Sequence, residues 1–287
     1  MSTSAPDLLR LYLAQQAASG VTHVKIDRAV LQTHSSVPPS PTKNTVKPVS
    51  TAQSQSAHPQ PISSQSPSVS ETPKKEKLRT LAAEAENCEK AKSLGTLRDT
   101  MVFATGNPDA EIMFIGEAPG AEEEKQREPF VGPAGQLLTK IIQAMGLRRS
   151  DVYISNICKF RPKVDDGRTQ GSKNRAPSGG EMHACLSYIM TEIEIIQPKV
   201  IVALGSTAST GLGIEGTVGK LRGSFQDFRG IPAMVTYQPS YLLRREQEDG
   251  GGITEKRLVW EDMMQVMERV SLPISVRQRG YFSKAKA

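Results

Sequence analysis

Residues 111–138 read EIMFIGEAPGAEEEKQREPFVGPAGQLL, and the first few of them decide the fold. Ile112 to Ile115 is an unbroken apolar run with the length and composition of a buried strand, and it stops at Gly116, where side chains become small or acidic. A tight Gly/Pro turn follows, then an acidic loop, then Phe130 between Pro129 and Val131-Gly132, then an amphipathic helix starting near Pro133. This succession describes the carboxyl end of a strand in an open α/β sheet, where such sheets bind ligands. Two phosphate sites are excluded. A P-loop needs Gly-Lys-Ser/Thr at the helix start and a dinucleotide fingerprint needs three glycines before it, and neither is present.

Working outward, the rest of the pattern repeats the alternation. Glu76 to about Lys92 has the Ala/Glu/Lys/Leu content of a helix, and Val102-Phe103 leads through a turn at Gly106-Asn107-Pro108 into the first strand. Pro133 to Met145 predicts a helix that opens on proline and stops at Gly146. Val152 to Ile157 predicts a second strand ending at Asn156, and Gly180 to Ile196 a helix closed by Gln197-Pro198. Lys199 to Leu204 and Ile231 to Thr236 are the third and fourth strands; Gly205-Ser206 opens a helix, and Glu255 to Val270 is a long closing one. The expected fold is a three-layer α/β/α sandwich around a mostly parallel four-stranded sheet, spanning residues 76–272.

The 287 residues are only 37% hydrophobic, low for a chain packed throughout, and the deficit lies at the front. Residues 35–70 are dominated by Ser, Pro, Gln and Thr and cannot bury enough apolar surface to offset their ordering entropy, so residues 1–75 read as a disordered tail. Within it, a short amphipathic helix is expected near residues 5–18, with Leu8, Leu9, Tyr12 and Leu13 near one face. It is either a docking peptide, for a protein partner or for the protein's own core, or a frayed terminus. Asp7 and Arg10 interrupt it, so it is no signal peptide, and no stretch reaches transmembrane length; the expectation is a cytoplasmic monomer without a membrane partner. Residues 273–287 read as a basic C-terminal tail.

The net charge of +6 is shared unevenly, since the first 77 residues hold eight Lys/Arg against four Asp/Glu. Within the folded part, Lys159, Arg161, Lys163, Arg168, Lys173 and Arg175 fall in one loop directly after the second strand, at the ligand-binding end of the sheet. That clustering points to phosphate contact more strongly than a scattered surface would.

Three separated segments carry a resemblance to family 4 of the uracil-DNA glycosylases, spanning about Cys88 to Val270. Gly116-Glu117-Ala118-Pro119-Gly120 with Pro129 to Leu138 is similar to that family's first motif; Asn156-Ile157-Cys158-Lys159-Phe160-Arg161-Pro162 resembles Asn-x-x-Lys-Cys-Arg-Pro; and Thr236-Tyr237-Gln238-Pro239-Ser240-Tyr241-Leu242-Leu243-Arg244 resembles Thr-x-His-Pro-Ala/Ser-Tyr-Leu-Leu-Arg. The resemblance implies hydrolysis of the N-glycosidic bond of uracil in DNA, with the base flipped into a pocket at the strand ends. The alternative is a catalytically weak or inactive binding member of the same fold. An unrelated small-molecule hydrolase is disfavoured because no nucleophile elbow or metal-ligand motif is present.

The residue types suit those roles. A strand-end amide such as Asn156 can donate to one uracil carbonyl and accept from the ring N–H, a pattern cytosine cannot reciprocate. Phe130 offers an aromatic face for an extruded pyrimidine. Glu117, and after it Glu123, are the candidates to activate water or stabilise the sugar cation, and backbone near Gly116 and Ala118 could hold a carbonyl. Lys159, Arg161, Arg175, Ser240 and Arg244 are candidate DNA contacts. Leu242 or Leu243 is either a wedge into the vacated stack or ordinary packing.

Three departures from the family pattern stand out. Gln238 occupies the histidine position, so the donor to the leaving base cannot become cationic. The family's four-iron four-sulfur cluster uses four cysteines; Cys88 and Cys185 match the first and fourth, while Ala91 and Phe160 stand at the others. No cluster is therefore expected, with Ala91 and Phe160 filling its place and Cys158 turned to a different face. A Cys88–Cys185 disulfide is conceivable, two reduced thiols are favoured, and zinc held by Cys88, Cys185 and His183 is remote. Finally, residues 164–173 form an insert without histidine. A branch of the superfamily that captures the abasic sugar through a histidine has a basic loop here, so hydrolysis is expected instead.

Overall fold

The computed structural model describes residues 72–248 and 252–282. The helix expected near residues 5–18 and the linker over 35–70 lie outside them. The chain runs α1 (Pro73–Glu86), α2 (Glu89–Ser93), β1 (Leu97–Met101), β2 (Ala104–Gly106), β3 (Ile112–Gly116), α3 (Ala121–Gln126), α4 (Pro133–Ala144), β4 (Tyr153–Asn156), β5 (Phe160–Pro162) and α5 (Gly179–Ile196). It continues through β6 (Val200–Leu204), α6 (Ser206–Gly211), α7 (Val218–Leu221), β7 (Phe225–Phe228), β8 (Ile231–Thr236), α8 (Pro239–Glu248), α9 (Ile253–Arg269) and α10 (Val276–Arg279).

Among the described residues the main sheet has six strands in the order β2-β4-β3-β6-β8-β7, with β4, β3, β6 and β8 parallel and the two edge strands antiparallel. The α/β/α class and the four parallel strands match the sequence reading; the count rises from four to six. Both additions are edges: β2 has only three residues, and Phe225-Gln-Asp-Phe is interrupted by polar side chains, so neither carries the continuous apolar run of a central strand. A separate antiparallel pair joins β1 to β5.

Every residue of β3 and of β6 is buried, as strands covered on both faces require. Their side chains alternate between layers. Ile112 and Phe114 join Val200, Val202 and Leu204 in the core with Leu138 and Ile142 of α4 and Trp260 and Met263 of α9, whereas Met113, Ile115, Ile201 and Ala203 face Ile189 and Ile193 of α5. α5 starts at a capping box: Glu181 N donates to Ser178 Oγ (3.3 Å) and Ser178 N to Glu181 Oε2 (2.7 Å).

Three local readings change. The helix expected over 76–92 is two helices broken at Asn87-Cys88, the acidic loop contains α3, and the third motif runs into α8 from Pro239. At the other end, residues expected to form a basic tail from 273 pack on the core: Ile274 and Tyr281 contact the α9 layer, and Trp260 Nε1 donates to the Gln278 carbonyl (2.8 Å). Their apolar residues are spaced too irregularly to show as an element in sequence.

Candidate active site

All four parallel strands end on one rim, because a parallel ladder aligns their carboxyl ends: Gly116 is level with Asn156, and Leu204 with Thr236. That alignment brings the three motifs together. A cavity of about 480 Å³ on this rim is lined by Glu117, Phe130, Asn156, Thr207, Gln238 and Arg244 among others.

Gly116, buried at the end of β3, does not itself line the cavity but is closed over by two residues that do. A Cβ there would stand 2.3 Å from Phe130 Cζ and 2.5 Å from Asn156 Oδ1, so the ring and the amide converge on the one position where the strand has no side chain. Phe130 is held in a left-handed conformation (φ 56°), and its carbonyl packs so closely over Gly135 of α4 that a Cβ there would lie 1.9 Å away. The backbone presenting the ring has little freedom to move. Asn156 is 2% exposed, and its Oδ1 has no hydrogen-bond partner among the described residues.

Opposite, Gln238 sits against Gly205, which has φ 92° and leaves 3.2 Å between a Cβ position and Gln238 Cβ. Glu117 accepts a hydrogen bond from Thr207 Oγ1 (3.0 Å). Burial pushes its carboxyl above the usual carboxylate range, while the Thr207 bond and the nearby Arg244 charge pull it back. Past the strand ends the two motif loops remain joined: Ile157 N donates to Gly116 O and Cys158 N to Glu117 O, each at 3.0 Å.

Several residues assigned from sequence have other work. Glu123 also lines the cavity, but its Oε1 accepts from Val131 N (2.9 Å) and Gly132 N (2.8 Å), and its Oε2 from Gly120 N (3.2 Å), so the carboxylate clamps the loop that presents Phe130. Lys159, placed on DNA by its charge, is 0% exposed and ion-paired to Glu192 of α5. Arg161 is 3% exposed; its guanidinium bonds Glu124, Asn174 and the carbonyls of Gly171 and Lys173, tying the inserted loop to the core. Neither cation reaches a phosphate without losing these partners. Leu242 is 1% exposed and packs in the core, whereas its neighbour Leu243 is half-buried.

Arg175 lines the cavity but commits both terminal nitrogens to Glu181 (2.8 and 2.7 Å). Ser240 and Ala118 also line it, and Arg244 is exposed at its mouth. Sequence reasoning missed Thr207, the residue that holds Glu117, and Asn174, which lies beside Gly120 and accepts from Arg161 Nε (2.9 Å). For Thr207 the only signal was its place at the start of a helix following a strand end.

A profile of the "Uracil DNA glycosylase superfamily" matches residues 103–264, more than half of the chain. The chain belongs to this superfamily. Among curated relatives, it is 41% identical over 169 residues to a type-4 uracil-DNA glycosylase of Thermotoga maritima, covering 58% of this chain and 81% of that protein. It is 35% identical over 181 residues to the type-4 protein of Archaeoglobus fulgidus (60% and 86% covered), and 28% identical over 184 residues to a type-5 uracil-DNA glycosylase of Pyrobaculum aerophilum (58% and 73% covered). The superfamily member described here thus stands nearer in sequence to these type-4 proteins than to that type-5 one.

In this glycosylase relative the family's cluster positions form a packed core. Cys88, Ala91, Phe160 and Cys185 lie in one apolar cluster with Leu97 and Met101, and Ala91 and Phe160 are each 1% exposed. Cys158 does not turn away as expected: its Sγ lies 3.7 Å from Cys185 Sγ, because the chain bends between β4 and β5 and the strand alternation ends at Asn156. All three cysteines are free thiols, without the Cys88–Cys185 bridge. The described residues contain no group of three His, Cys, Asp or Glu side chains placed to hold a metal ion, and this donor set does not fit a four-thiolate cluster. No helix among the described residues is long and apolar enough to cross a membrane.

Proposed function

We propose that this protein hydrolyses the N-glycosidic bond of uracil in DNA, with the flipped base held between Phe130, Asn156 and Gln238. The observation that carries this is the unpartnered, buried Oδ1 of Asn156, which closes with the Phe130 ring on Gly116, both residues lining the cavity. A buried acceptor left unsatisfied is unfavourable, and the N3–H of uracil supplies the missing donor, whereas the corresponding ring nitrogen of cytosine carries no hydrogen. The 35–41% identity to type-4 uracil-DNA glycosylases supports the same substrate.

In this reading the C1′–N1 bond breaks with the electron pair leaving on the base, and the amide of Gln238 donates to the carbonyl where that charge collects. The Glu117 carboxylate faces the sugar cation, takes a proton from the incoming water as its oxygen bonds C1′, and the uracil anion is protonated on release. Arg244 and Ser240 contact the flanking backbone, and Leu243 enters the vacated stack. No step uses an iron–sulfur cluster. Purified protein is expected to hold no iron by elemental analysis and to retain cleavage in Cys185→Ser; a full complement of iron would overturn this. The reading includes a cytoplasmic monomer with uracil-containing DNA as its partner.

Incubation with a single-uracil oligonucleotide should give alkali-labile abasic sites, and a cytosine control should give none. Tight binding to uracil DNA without cleavage would favour instead a binding member of the fold, a reading supported by the neutral Gln238. Gln238→His should raise the single-turnover rate about tenfold or more, since a donor able to become cationic better stabilises the departing anion. An unchanged or lower rate would remove Gln238 from the leaving-group side.

A further inference from the structure

Lys159 and Glu192 are both 0% exposed, and their side chains form an ion pair between the β4–β5 bend and the C-terminal part of α5. Removing two charges from water costs more than packing an apolar pair of the same size, so stability alone gives no account of them. Their partners suggest another. Besides its ion pair with Glu192, the Lys159 ammonium donates to Ser155 Oγ (2.6 Å) and to the Asn156 carbonyl (3.0 Å), while the Phe103 ring lies 5.3 Å from Nζ.

The Asn156 carbonyl needs such a donor. Ile157 N points to β3, where it donates to Gly116 O, so across the same trans peptide the Asn156 carbonyl points the opposite way, toward β2. β2 ends there: its ladder pairs Ala104 with Ser155 and goes no further. The ammonium stands where the next strand's N–H would be. With Ile157 N on one side and Lys159 Nζ on the other, the peptide after Asn156 is pinned, and with it the direction of the Asn156 side chain that lines the cavity.

We propose that Lys159, anchored by Glu192, is a positioning residue that sets the Asn156 amide for reading the base. This rests on the base-reading role of Asn156 proposed above. An apolar pair would fill the same volume but could not hold the carbonyl.

The test is a mutational cycle using single-turnover cleavage of uracil DNA, with thermal melting as the folding control. Lys159→Met combined with Glu192→Leu should remain folded, because both charges leave together, yet cleave roughly tenfold more slowly, the loss expected for one charge-assisted hydrogen bond. In an Asn156→Ala background the same pair of changes should alter the rate by less than about twofold, since residues acting through one group are non-additive. A folded double variant with the wild-type rate, or a loss that multiplies in full with that of Asn156→Ala, would overturn the inference. If Asn156→Ala alone cleaves like the wild type, the base-reading role itself fails. Should the double variant not fold, Glu192→Gln keeps an acceptor without the charge; a loss of roughly threefold is then expected, and a wild-type rate would overturn the proposal.

Discussion

Glu117→Gln lowers the single-turnover rate of uracil release by about 100-fold or more, the range for loss of a positioned acid or base, and at pH 7 it raises the melting temperature. The rate loss follows from the place of Glu117 in the cavity, and the melting shift from burial, which holds its carboxyl above the ordinary range against the opposing Thr207 bond and Arg244 charge. A carboxyl with a raised folded-state pKa binds its proton more tightly in the folded protein than in the unfolded chain. As pH rises above the unfolded value of about 4.3, the unfolded chain ionises first and the folded state loses stability until the folded group has ionised too. Glutamine removes that loss. The stability gain should therefore be present at neutral pH and vanish below the unfolded pKa, while the acid limb of the wild-type rate should lie above the ordinary glutamate range. An equal melting temperature for the two proteins at pH 7, or a wild-type rate for Glu117→Gln, would refute the assignment.

Gly116→Ala has the second largest expected effect. The new methyl would sit 2.3 Å from Phe130 Cζ and 2.5 Å from Asn156 Oδ1, so ring and amide must both give way. Phe130 cannot withdraw along its backbone, because its carbonyl already closes on Gly135. The ring must rotate into the cavity. Overpacking of this kind destabilises by about 1–3 kcal/mol, and a displacement of about 1 Å in a reacting assembly can cost about 100-fold in rate. Denaturant melts and single-turnover rates would check both. A Gly116→Ala protein that cleaves normally would mean that neither Phe130 nor Asn156 touches the base.

The difference between what was legible in the chain and what was not is physical. Ile112–Gly116 and Val200–Leu204 are buried on both faces, so their residues had to be apolar without interruption, and such runs identify central parallel strands unaided. Phe225–Phe228 and Ala104–Gly106 are edges, half exposed and short, and carry no such pattern. For charged side chains the limit is stricter. Lys159, Arg161 and Arg175 look alike in sequence as a basic cluster; the carboxylates that neutralise them sit on two other elements, Glu124 on α3 and Glu181 and Glu192 on α5. Only folding shows which cations are already paired. Glu117 and Glu123 present the same problem, six residues apart in one acidic stretch. Both line the cavity, but Glu117 accepts from the Thr207 hydroxyl, whereas Glu123 is held by the backbone N–H groups of Gly120, Val131 and Gly132.

What the amino-acid order determined by itself, then, was the α/β/α layering and the three segments, around Glu117, Asn156 and Gln238, that end on one rim, because apolar periodicity and strand ends are properties of neighbouring residues. The tertiary structure alone decided which charges line the cavity and which are internal struts, because solvent access and ion pairing depend on residues far apart in the chain.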